Sequence, residues 1–161
     1  MPSKSAGIIA YRKRRGIEVL LVHPGGPFWR NKDLGAWSIP KGEYADEEDA
    51  DIAARREFAE ELGLELSVPL TSLGQVKQRG GKIVTAFAAE LDLDVRSIRS
   101  NSFEMEWPPR SGKRQTFPEV DRAEWFTLAE AHGKINTGQR PLLERLAEVV
   151  GITPSRRPTP P

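Results

Sequence analysis

The sequence predicts an α/β domain, on three observations. Short β-prone runs open the chain, a strongly marked helix occupies 46–62, and further β-prone runs lead to a helical closing segment at 140–150. Ala6 to Tyr11 (AGIIAY) and Glu18 to His23 (EVLLVH) are rich in branched and aromatic residues, and the basic turn Arg12-Lys13-Arg14-Arg15-Gly16 separates them. They are expected to form a hairpin or two neighbouring strands. Prolines and glycines after His23, then Phe28, Trp29 and Arg30, mark a loop up to Ala36. Trp37-Ser38-Ile39-Pro40 is a short extended piece, with Lys41-Gly42 as its turn.

Asp46 to Leu62 is the clearest helix. Asp46 is placed to cap it, acidic residues fill its first turn, and Gly63 ends it with Leu64 packing behind. Leu70 to Val76 and Lys82 to Leu91 are expected strands around the turn Arg79-Gly80-Gly81. Val95 to Pro118 is polar and aromatic, carries Pro108, Pro109 and Gly112, and is expected to be a long functional loop with partial structure. Ala123 to Phe126 is a last strand and Leu128 to Gly133 a helical turn. Leu142, Leu143, Leu146, Val149 and Val150 recur at helical spacing in the closing helix. Residues 1–150 are thus expected to form one domain, followed by a Pro-rich disordered tail over 151–161.

A chain of 161 residues can bury a real core. Its net charge of +1 gives neither sign dominance, so no nucleic-acid or membrane partner is expected. Without cysteine, disulfides, zinc–thiolate sites and thiol nucleophiles are excluded. No apolar run approaches signal-peptide or membrane-spanning length, which makes a cytoplasmic location the expectation. A monomer or homodimer is expected.

From Gly42 the chain reads GEYADEEDADIAARREFAEELGL. Glu48 follows Gly42 after five residues, Arg56-Glu57-Phe58 after seven more, then Glu60-Glu61 and Gly63-Leu64. On a helix Glu57, Glu60 and Glu61 are related by three and four residues and share a face. Carboxylates so close repel unless a cation sits among them, and hard cations such as Mg²⁺ or Mn²⁺ prefer oxygen ligands. Ala50, Ala53 and Ala54 fall near the same arc, where small side chains would admit a ligand. Arg56 can hold a glutamate by paired hydrogen bonds. For the glutamate pairs alone a solvated acidic face is the simpler alternative. The joint spacing with Gly42, Glu48 and Gly63 favours a ligand, although Glu48 can also serve the helix N-terminus.

This pattern resembles the full Nudix box, a glycine, a spaced glutamate, Arg-Glu, an apolar residue, paired glutamates and Gly-apolar at fixed positions. With roughly 6–7% background per specified residue, chance agreement is on the order of one in ten million. Phe58 departs mildly, since the family more often has an aliphatic residue there. The resemblance spans about Ser5 to Val150, but only Trp37 to Leu64 is highly specific. It implies an α/β/α sandwich around a central mixed β-sheet, and water attack on a phosphorus of a nucleoside-diphosphate derivative. It further implies Mg²⁺ (or Mn²⁺) bound mainly by Glu60 and Glu61, with Glu57 a ligand or the base, the Gly42 carbonyl a further ligand and Arg56 orienting. Glu57 and Glu119 are the contenders for general base, Glu119 lying just before the last strand in FPEVDRAEWF. Glu119 as a plain surface-loop residue is the alternative.

Lys41, Lys82, Trp29, Arg30 and Trp107 are the candidate substrate contacts. Phe28-Trp29-Arg30, and Trp107 with Arg110, Lys113 and Arg114, pair loop aromatics with cations suited to stacking on a base and gripping phosphate, or alternatively pack under their own loops. Lys82 opens KIVTAFAAE, either a phosphate contact or an exposed strand-edge lysine. Trp125 is expected in the core, His23 and His132 are assigned to no site, and Arg12 to Arg15 are expected to be solvated.

Both KIVTAFAAE and the lead-in WSIPKG resemble segments of diadenosine tetraphosphate hydrolases. The extra N-terminal strand region of ADP-ribose hydrolases and the upstream signature of coenzyme A hydrolases are not visible. A dinucleoside polyphosphate is therefore the favoured substrate, with the 95–118 segment holding its second moiety. A nucleoside triphosphate, oxidised ones included, is the alternative. Two other classes stand beside these: a non-catalytic Nudix module that binds a nucleotide, and an acidic helix in an unrelated scaffold. An intact box argues against the first.

Overall fold

Alternation along the first two strands divides the interior in two. In the computed structural model, which describes residues 3–151, β1 (Lys4–Arg12) and β2 (Glu18–Pro24) pair antiparallel. Ala6, Ile8, Ala10, Leu20 and Val22 join one buried cluster, whereas Ile9, Val19 and Leu21 join another. Side chains that alternate at period two can supply two cores only if both sheet faces are covered.

Helices cover both. On one face α1 (Ala50–Leu62) inserts Ala53, Ala54, Phe58 and Leu62, all without solvent exposure. Phe58, the box's mild departure, is full core, a burial that contributes about 1.5–3 kcal/mol. Between β2 and α1, β3 (Lys41–Glu43) adds antiparallel to β1. After α1, β4 (Thr71–Lys77) pairs antiparallel with β5 (Ile83–Glu90), and β5 runs parallel to β1. A separate hairpin follows, β6 (Ser102–Glu106) with β7 (Arg114–Pro118). The last sheet strand is β8 (Val120–Thr127), antiparallel to β2. On the opposite face, α2 (Leu128–Lys134) and α3 (Arg140–Val149) bury Ala131, Leu142, Leu143 and Leu146. The main sheet runs β4-β5-β1-β2-β8 with β3 beside β1, a mixed sheet between helical layers. This is the expected α/β/α sandwich.

Several local expectations are corrected. Lys41-Gly42 is not a turn but a strand, because β1 offers it a ladder partner. Asp46 does not cap the helix. Lys4 takes its carboxylate at 2.5 Å, and α1 begins at Ala50 behind Asp49, which makes no side-chain cap. Asp51 is accordingly the acidic residue of the first turn. Ala53 and Ala54 face the sheet, closed to any ligand. Lys13, Arg14 and Arg15 are solvent-exposed as expected, but the turn is also tied down: Arg12 and Arg15 donate to the buried Glu18 carboxylate, and Arg12 and Arg14 to Asp92. Burial alone would raise the Glu18 carboxyl, but these guanidinium bonds outweigh it and hold the group below its ordinary range. Trp125 is half-buried against one core, its indole N–H donating to the Leu93 carbonyl at 3.1 Å. The Pro-rich tail, beyond Gly151, lies outside the described residues. No helix among the described residues is long and apolar enough to cross a membrane.

Candidate active site

Two elements build the site: β3, carrying Lys41 and Gly42, and the face of α1 that lies over it. Gly42 pairs with Ala6 in the β1 ladder, so its backbone position is fixed by the sheet. Glu57 lies directly against it: a Cβ at Gly42 would fall 2.0 Å from the Glu57 carboxylate carbon. The Lys41 N–H donates to Glu61 Oε2 at 3.1 Å. Strand backbone and helix carboxylates thus meet without an intervening side chain.

Arg56 organises the rest. Its guanidinium donates twice to Glu48, at 3.0 and 2.9 Å, and also to Glu57 at 3.1 Å and Glu60 at 3.4 Å. Glu48 therefore answers to Arg56 as well as to its place before the helix. Burial pushes the Glu61 carboxyl up to about 8, with Glu57 adding repulsion and the Lys41 N–H opposing. Burial and the neighbouring Glu60 raise Glu57 likewise. Burial lowers Lys41, and the nearby Lys82 lowers it further.

The expected tight convergence of Glu57, Glu60 and Glu61 is not what this side-chain arrangement shows. Among the described residues, no three acidic, histidine or cysteine side chains form a group that could enclose a metal ion. The reason is visible in the bonds: Arg56 draws on Glu57 and Glu60, whereas Glu61 is turned to the Lys41 N–H. The donor set still fits a hard cation. It is all oxygen, it includes a backbone strand reached directly by Glu57, and Mg²⁺ needs only one or two carboxylates besides substrate phosphates and water.

A cleft of about 220 Å³ opens beside this face, lined among others by Trp29, Trp37, Lys41, Glu61, Gln78 and Glu119. Four predicted residues, Trp29, Lys41, Glu61 and Glu119, are thereby brought together from four separate segments. Glu119 is near enough to Glu57 and Glu61 to contribute to raising both. Arg30, Lys82 and Trp107 are not in the lining. Arg30 and Lys82 are exposed, and Trp107 makes an edge-to-face pair with Phe28, ring centroids 5.4 Å apart. That pair joins the 25–36 loop to the β6–β7 hairpin.

Two buried polar residues of the site carried no motif. Gln139 has no exposure, accepts from the Ile39 N–H, and donates to Ser38 Oγ and the Gln78 side-chain oxygen, so it fixes the cleft floor. His23 is equally buried and bridges two segments of the wall. No periodicity or spacing signals either, since each owes its role to partners far along the chain.

The arrangement is that of a helix-borne carboxylate set facing a strand backbone at a cleft, on an α/β/α sandwich. The NUDIX domain family profile matches residues 1–146, and the chain belongs to this family. An RNA pyrophosphohydrolase of Caulobacter vibrioides is 39% identical over 91 residues, which cover 53% of this chain and 49% of that protein. The chain so spans about half the length of that curated relative. Among solved structures, an Ap4A hydrolase of C. elegans in a binary complex matches with a TM-score of 0.64 at 24% identity, over 91% of this chain and 98% of that one. The NUDIX domain of Shewanella oneidensis NrtR, complexed with ADP ribose, also reaches 0.64, at 17% identity, over 93% and 89%. These structural likenesses are of fold.

Proposed function

We propose that this protein is a divalent-metal-dependent pyrophosphohydrolase that cleaves a phosphoanhydride bond in a nucleoside-diphosphate derivative, with a dinucleoside polyphosphate as favoured substrate. The observation that carries the reading is Glu57 set against the Gly42 backbone and Glu61 against the Lys41 N–H, at a cleft lined by Lys41, Glu61 and Glu119.

Glu57, Glu60, Glu61 and the Gly42 carbonyl are the oxygens that would hold Mg²⁺ or Mn²⁺. When bound, such an ion makes water more acidic and neutralises charge on phosphate oxygens. Lys41 offers the cleft its positive charge for a phosphate. Arg56 restrains Glu48, Glu57 and Glu60, so their oxygens are ordered before substrate arrives. Proton removal from the attacking water falls to Glu57 or Glu119. Trp29, 39% exposed on the cleft wall, is a stacking surface for a base. Phe28 with Trp107 is a second aromatic surface, joined to the Trp29-bearing loop through Phe28, and suits a substrate with two bases.

A second reading, the 5′-triphosphate end of an RNA, is favoured by the Caulobacter relative. A phosphate-release panel with Mg²⁺ separates them: dinucleoside polyphosphates, nucleoside triphosphates including oxidised ones, and a short 5′-triphosphorylated RNA. Fastest kcat/KM on a dinucleoside polyphosphate is the expected outcome. Faster turnover of mononucleotides or of RNA overturns the substrate preference. Glu60→Gln and Glu61→Gln are each expected to lower kcat by about 10²-fold or more with folding intact, and near-normal turnover removes the residue from the metal set.

A further inference from the structure

His23 closes β2 between Val22 and Pro24, both of which line the cleft, yet its own ring has no solvent exposure. Nδ1 lies 2.9 Å from an Asp121 carboxylate oxygen and Nε2 lies 2.7 Å from the Lys32 carbonyl oxygen. A neutral imidazole carries one N–H and one lone pair, whereas an ionised carboxylate and a carbonyl only accept. Both contacts are hydrogen bonds only if the ring bears a proton on each nitrogen. The Trp37 indole packs on it edge-to-face at 5.1 Å. Arg122 shares the same Asp121 oxygen at 3.6 Å and lies over the Trp37 ring, whereas Asp33 accepts from Trp37 Nε1 and Lys134.

The two arms reach two segments that contribute Trp29 and Glu119 to the cleft lining. Lys32 donates its N–H to the Trp29 carbonyl at 3.0 Å and holds its ammonium 5.0 Å from the Trp29 ring centroid. Asp121 stands two residues after Glu119, whose carbonyl accepts from the Gly25 N–H at 2.9 Å. We infer that His23 is a positioning residue, held as an imidazolium that ties the Trp29-bearing loop to the Glu119-bearing strand and so sets the width of the nucleotide cleft. Removing a proton turns one donor into a lone pair facing an acceptor, and the loop is released on that side. The inference rests on the cleft being the nucleotide site.

Its first test needs no substrate. The chain has two histidines, so ¹⁵N-histidine labelling of the full chain, with His132→Gln for assignment, resolves the His23 ring by NMR. Protons on both His23 nitrogens at neutral pH are expected. One bare ring nitrogen overturns the inference, whatever the enzyme cleaves. The second test takes whichever nucleotide the panel selects. His23→Gln is expected to raise KM about tenfold with kcat within about threefold. An unchanged KM overturns the positioning role. If His23→Gln does not fold, Asp121→Asn keeps the ring and removes the carboxylate; the expected result is one lost ring proton with a raised KM, and retention of both protons overturns the proposal. Failure of the wild type to hydrolyse any nucleotide sinks the hydrolase reading, while the NMR result stands separately.

Discussion

Glycine at position 42 is required by contact rather than by conformation. Any β-carbon there would meet the Glu57 carboxylate at 2.0 Å, and the residue cannot yield because Ala6 holds it in the ladder. Gly42→Ala is therefore expected to displace Glu57, not the strand. Catalytic groups shifted by about 1 Å commonly lose about 10²-fold, so kcat is expected to fall by that order while the melting temperature stays within a few degrees. Wild-type kcat in the alanine variant means Glu57 works from elsewhere. At this scale the spacing of Gly42, Arg56, Glu57, Glu60 and Glu61 was readable, because a helix turns a linear interval into a shared face. What those side chains hold was not. Arg56 divides itself among three glutamates, and Asp46 abandons the helix end for Lys4.

Helix α1 is the element that presents the carboxylates, and its exit matters as much as its face. Gly63 takes φ +72° at the C-cap, donating its N–H to the Ala59 carbonyl. An added Cβ would meet the Arg99 carbonyl oxygen at 2.6 Å. The last turn is also bound across space: the Leu62 carbonyl accepts from Arg99 and the Glu60 carbonyl from Asn101. Gly63→Ala combines left-handed strain with a backbone clash, for an expected loss of about 1–2 kcal/mol, seen as a drop of roughly 2–8 °C in thermal melting. An unchanged melting temperature would show the cap relaxing freely. Elements with strong local signals, β1, β2, α1 and α3, were legible within a few residues. The hairpin β6–β7 was read as a loop with partial structure because Pro108, Pro109 and Gly112 mark its turn and β7 carries a single apolar residue before its proline, although Phe103 and Met105 do alternate in β6.

At the level of the molecule, the hairpin stands apart from the main sheet, and its ends already touch: the Glu119 N–H donates to the Asn101 carbonyl at 2.7 Å. Replacing 102–118 with a short Gly-Ser turn is expected to preserve the sandwich, with melting close to wild type. It removes Trp107 from Phe28, and KM for a dinucleoside polyphosphate is expected to rise about tenfold while mononucleotide hydrolysis is retained. Equal effects on both substrates contradict a second-base surface. Fold class, the carboxylate helix and the oxygen-rich donor set follow from local order alone, since helical and strand periods are properties of neighbouring residues. The walls of the cleft follow from tertiary pairing. Trp29, Glu119, Gln139 and the His23 clamp come from segments that lie, at the extremes, more than a hundred residues apart. They meet because a mixed sheet covered on both faces leaves few ways for its loops to gather at one edge.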